Sequence, residues 1–191
     1  MILERLRRSG NSDEALEAEI DTIENAGRWG QALDVFHEIQ QSDGISRAQF
    51  AAMIVRYFPQ IAEARRTSQV VTDIQDSWAR AEIQAVVGAG LLDPRPNHTF
   101  QPAVPVTRGE FAQALGRISK LVGIVASAAP PVPLADVAPT NALYREIQLS
   151  LARGLLTLDD SGKFNMAGHV SGVDGVSAMG RMVELIREKN R

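Results

Sequence analysis

The chain has 191 residues, 45% of them apolar and 23% charged, with a formal net charge of -3 and no cysteine. That is enough apolar material for one domain or two small ones. The charge gives no reason to expect a nucleic-acid partner, and the missing cysteines exclude disulfides, thiolate metal sites and a cysteine nucleophile.

The opening Met-Ile-Leu-Glu-Arg-Leu-Arg-Arg has no uninterrupted apolar core after its charges, unlike a signal peptide. Ser12 is placed to cap a helix with Ala15, Leu16, Ile20 and Ile23 along one side. Asn25-Ala26-Gly27 closes it, and Trp29, Ala32, Leu33, Phe36 and Ile39 form the apolar stripe of a second helix. Residues 1–41 are therefore expected to be a helical hairpin. Gly27-Arg28-Trp29 with Ala32-Leu33 and Phe36 is similar to the turn and second helix of a tetratricopeptide repeat, a protein-binding unit, although the same spacing describes any tightly packed antiparallel pair.

Ile45-Ser46-Arg47-Ala48-Gln49-Phe50 carries a helix-start signature. Ser46 with Gln49 spells a capping box, and Ile45 with Phe50 a hydrophobic staple. Val106-Thr107-Arg108-Gly109-Glu110-Phe111 repeats it 61 residues later, and Val170-Ser171-Gly172-Val173-Asp174-Gly175 repeats it in weakened form after 64 more. The 64-residue step also carries Ile83 to Ile147, Gly90 to Gly154, Leu91-Leu92 to Leu155-Leu156, and Phe100 to Phe164. Each copy reads as a helix, a Gly-Leu-Leu break, a polar loop closing on Phe, and a capped second helix. The polar connector at Arg65–Gln69 and the proline-rich Ser127–Pro133 fall at the repeat boundaries.

Asp73-Ile74 with Trp78-Ala79, then Gly90-Leu91-Leu92, Phe100-Gln101-Pro102 and Val106–Phe111, resembles an S-layer homology module, a family found as tandem copies. The resemblance divides the chain into the hairpin at 1–41, a partial first module at 42–66, a second at 67–129 and a third, degenerate one at 130–191. It implies an all-α fold with the modules around a pseudo-threefold axis. It also implies an exported protein of the bacterial cell envelope, whose export signal would lie upstream of the numbered chain.

The function so implied is non-catalytic anchoring through cell-wall polysaccharide or a peptidoglycan-linked polymer, with Arg108 and Arg47, aided by Trp78 and Asp73, as glycan-binding residues. A guanidinium suits a carboxylate such as a pyruvyl ketal because it can bind both oxygens, and helix-start amides would add to the pull. The alternative for each arginine is an internal salt bridge to a carboxylate such as Asp73 or Asp136. Trp78 fits either the module interior, which its place favours, or stacking on a sugar.

Three departures from the family pattern stand out. Gly172 replaces the third arginine, Gly109 replaces an alanine, and Asp93-Pro94-Arg95-Pro96-Asn97-His98 replaces a glycine-rich turn. The change at Gly109 is harmless, but the degenerate third copy and the tetratricopeptide-like start motivate an alternative of another class, a protein-interaction scaffold in an envelope complex, binding partners through the hairpin and the degenerate surfaces. His37, His98 and His169 lack metal-ligand spacing, and Asp159–Lys163 reads as a turn rather than a calcium loop. No cofactor or metal is expected, no catalytic motif appears, and no segment reaches the roughly 20 apolar residues of a membrane span.

Overall fold

A computed structural model describes residues 38–63, 69–124 and 130–191. The chain divides into two units, Met1–Glu38 and Ile39–Arg191, and the second is described below. Up to residue 37, the expected hairpin with its tetratricopeptide-like turn and Trp29 lies outside the described residues.

Six whole helices and no sheet occur among the described residues, in keeping with an all-α class. They are α1 (Arg47–Tyr57), α2 (Gln60–Glu63), α3 (Arg80–Gly88), α4 (Arg108–Leu121), α5 (Tyr144–Ala152) and α6 (Gly172–Lys189). None is long and apolar enough to cross a membrane.

Side-chain capping sets where the longer helices begin. Ser46 Oγ accepts from Gln49 N at 3.2 Å while Gln49 Oε1 accepts from Ser46 N at 2.8 Å. Thr107 and Glu110 make the same reciprocal pair at the start of α4, both bonds at 3.2 Å. At α6, Ser171 Oγ accepts from Asp174 N at 3.1 Å, but the shorter Asp174 takes the Ser171 hydroxyl instead of its backbone amide. One missing methylene thus leaves the third box half built.

Each Gly-Leu-Leu break ends a helix by a Schellman motif. Gly90 sits at φ +69°, its N–H on Val87 O and that of Leu91 on Val86 O. Gly154, at φ +65°, ends α5 the same way, with bonds to Leu151 O and Ser150 O. The turn then buries Leu91, Leu92, Leu155 and Leu156.

The core centres on the residues just ahead of the three caps. Ile45 N donates to Val170 O at 2.9 Å, Val106 N to Ile45 O at 2.9 Å, and Val170 N to Val106 O at 3.3 Å, a closed ring of three backbone bonds. All three side chains are buried, and the Phe50 and Phe111 rings lie 4.5 Å apart. Phe100 and Phe164 are both fully buried, as their shared register requires. The main helix pairings cross the expected repeat boundaries: α1 packs on α3, and α4 on α5. Gly116 permits the second pairing, since a Cβ there would stand 2.6 Å from Glu146 Cγ.

Candidate functional site

The first residue of each long capped helix meets a loop from elsewhere in the fold. In α1, Arg47 N donates to Val104 O and Ala48 N to Pro102 O, both at 2.9 Å. In α4, Arg108 N donates to Gly168 O at 2.7 Å and Gly109 N to Met166 O at 3.0 Å. In α6, Gly172 N donates to Ser42 O at 2.8 Å. The helix-start amides expected to attract an anion at Arg47 and Arg108 are thus already bonded to backbone carbonyls, and the hydroxyl caps take the next amide.

Arg47 is 2% exposed. Its Nε donates to Phe100 O and its Nη2 to Asp93 O, both at 2.7 Å, and Nη1 pairs with Glu110 Oε1 at 2.9 Å. The guanidinium carbon lies 4.4 Å from the centre of the Phe100 ring. Arg95 reaches the same Glu110 oxygen at 2.8 Å, so one carboxylate serves two arginines and a capping box. Burial pushes the Arg47 guanidinium below the ordinary arginine range against the upward pull of Glu110, and it remains charged. The unfavourable placing of a cation at a helix start is offset here by Glu110 and two carbonyls.

Arg108 repeats the geometry with one element missing. Its Nε donates to Phe164 O at 2.8 Å, its Nη2 to Thr157 O at 2.5 Å, and its guanidinium carbon lies 4.8 Å from the Phe164 ring centre. It is partly exposed, and among the described residues neither a carboxylate nor a hydrogen-bond acceptor meets its Nη1. The counterpart of Glu110 is Asp174, also third in its helix, and that side chain is turned to the Ser171 hydroxyl.

At the third position no arginine could be housed. A Cβ on Gly172 would stand 1.5 Å from the Ile39 carbonyl oxygen. The segment Ile39–Ser42 therefore occupies the space in front of α6.

The acidic residues serve the loops. Asp73 accepts from Phe100 N and Gln101 N at 2.7 Å each, and Asp136 accepts from Phe164 N at 2.8 Å and Asn165 N at 2.7 Å. These bonds hold Gln101 (φ +59°) and Asn165 (φ +54°) in a left-handed turn. The carboxylate that pairs with Arg47 is thus Glu110, not Asp73, and Asp136 meets Arg108 only through the backbone of Phe164. Asp73 and Arg47 likewise meet across Phe100, from opposite sides of its peptide groups.

Trp78 departs from the interior placement that its position favours. It is 58% exposed in the turn before α3, and no hydrogen bond or ring contact joins it to either arginine among the described residues. The sequence reading missed Glu110 and Arg95 as partners of Arg47, and Phe100 and Phe164 as surfaces under the guanidinium groups. The one signal for these was the recurrence of Arg at the helix start (Arg47, Arg108) and of Phe at the close of the loop (Phe100, Phe164).

The family model for the S-layer homology domain matches residues 72–112, a span that holds Asp73, Trp78, Phe100 and Arg108. No curated protein matches the chain significantly. Domains of the matched family are non-catalytic and generally anchor proteins to cell-wall polymers, which makes residues 72–112 similar to a cell-surface or envelope module.

Proposed function

We propose that the chain anchors its protein, without catalysis, to the bacterial cell envelope by binding an anionic wall glycan or a peptidoglycan-linked polymer. In this reading a partial module (42–66), a second (67–129) and a third (130–191) surround a pseudo-threefold axis. The ring of bonds through Ile45, Val106 and Val170 supports that arrangement. The observation that carries the function is Arg108: a partly exposed guanidinium, stacked on Phe164 and held by two carbonyls, with one nitrogen lacking a partner among the described residues. A carboxylate-bearing sugar would supply the missing acceptor. Trp78 and Asp73, both exposed, are assigned to the sugar surface, Trp78 as a stacking platform. Arg47, behind Phe100, acts by holding the loop in place. Sedimentation of the purified chain with cell-wall sacculi, before and after removal of their attached polymers, tests this: binding should fall when the polymers go, and no binding to intact sacculi would refute it.

The second reading, a protein-interaction scaffold of an envelope complex, draws on the two closed positions. Arg47 is 2% exposed with a partner on each guanidinium nitrogen, and Gly172 faces the Ile39 carbonyl, so neither has room for a sugar. Failure to sediment with sacculi would favour it.

A further inference from the structure

The last turns of α4 and α6 meet at one end of the fold. Lys189 Nζ donates to Val122 O at 2.8 Å, and deeper in the pair the Ser119 hydroxyl contacts Met182 Sδ at 3.8 Å. The chain leaves α4 through Leu121-Val122-Gly123-Ile124, an apolar run that the core does not absorb. Leu121 is 57% exposed, and Val122, Ile124 and Ile186 are partly exposed.

Charge at this end is one-sided. Arg181 Nη1 holds Glu184 at 3.1 Å and Glu188 at 2.9 Å, so both carboxylates in the last turns of α6 are already answered. Lys120, Arg187 and Arg191 are exposed and meet no carboxylate among the described residues. A chain of net charge -3 thus sets unpaired cations around an apolar tip. The macrodipole favours cations at a helix end, but it gives no reason for the apolar run beside them. A dissolved polyanion would answer the cations and leave Leu121 in water. An anionic bilayer answers both, since headgroups take the cations and the boundary beneath them takes the apolar side chains.

We propose that this end of the molecule docks on an anionic phospholipid surface, with Leu121 and Ile124 in the headgroup boundary and Lys120, Arg187 and Arg191 on the phosphates. The contact is peripheral, as no helix among the described residues is long and apolar enough to cross a membrane. It is separate from Arg108, which starts the same 14-residue helix about 20 Å away. It also goes beyond the anchoring reading, which concerns a wall polymer.

Because the chain has no cysteine, Leu121→Cys and Arg80→Cys each offer a single site for an environment-sensitive dye. Arg80 is exposed on α3, which packs on α1 and α2. The probe is vesicles of equal parts phosphatidylglycerol and phosphatidylcholine, with pure phosphatidylcholine as control. The full chain should sediment with the first and not with the second, and the dye at position 121 should shift to the blue while that at position 80 should not. Lys120→Gln, Arg187→Gln and Arg191→Gln combined should weaken binding about a hundredfold, at roughly fivefold per cation, and Leu121→Ser about tenfold. Both variants should keep the wild-type melting temperature, because all four side chains are exposed.

No sedimentation of wild type with the anionic vesicles, equal binding to both vesicle types, unchanged binding in either variant, or equal dye shifts at both positions would each overturn the proposal. Sacculi carry no bilayer, so wild type and the triple Gln variant should sediment with them alike, which shows separately whether anchoring stands. Loss of sacculus binding in the triple variant would assign the cations to the wall polymer and overturn the lipid contact.

Discussion

Arg47 and Arg108 share a helix position and an aromatic floor, yet they should respond differently to truncation. Arg47→Ala removes a buried cation from Glu110 and from two carbonyls, and should cost about 3 kcal/mol, the low end for breaking a buried pair because Arg95 stays on Glu110. Arg108→Ala frees two carbonyls near solvent and loses a stacking contact, about 1–2 kcal/mol. Urea denaturation of the two variants decides this; equal losses would mean that the carboxylate of Glu110 adds nothing to the Arg47 position. Arg47 and Arg108 could not be told apart by local spacing, because what separates them is a contact 63 residues away with Glu110. Trp78 shows the same limit, since nothing near it in the chain says whether the turn before α3 faces the core or solvent.

At the scale of elements, the helix starts and stops were legible and the pairings were not. Ser46, Thr107 and Ser171 cap helices as their neighbours indicate, since a cap depends on residues within one turn. Thr107→Ala should accordingly lower stability by about 1 kcal/mol in thermal or chemical denaturation, and an unchanged midpoint would remove the cap from the account. Gly90 and Gly154 likewise end their helices by short-range bonds. That α1 pairs with α3 rather than lying within its own repeat depends on loops between them, which periodicity does not encode.

Gly172 is the clearest case. In sequence it reads as a lost arginine, whereas in the fold the Ile39 carbonyl excludes any side chain. Gly172→Ala should therefore destabilise by about 1–3 kcal/mol through overpacking against backbone. Gly180→Ala, on the same helix with open space around its Cβ, should stabilise by roughly 0.4–1 kcal/mol. The two melting temperatures should move in opposite directions; a shift of the same sign would mean that the approach of Ile39 to α6 is not rigid.

For the molecule as a whole, the ring of three backbone bonds links the residues just ahead of the three helix starts, and in the proposed function the acidic ligand is taken at Arg108. Sedimentation of wild type, Arg108→Lys and Arg108→Ala with polymer-bearing sacculi, read beside their melting curves, tests this most directly. Arg108→Ala should stay folded and lose most of its wall binding. Arg108→Lys should fall between the two, because lysine keeps the charge but not the paired donors. Equal sedimentation of all three folded proteins would contradict the anchoring role of Arg108.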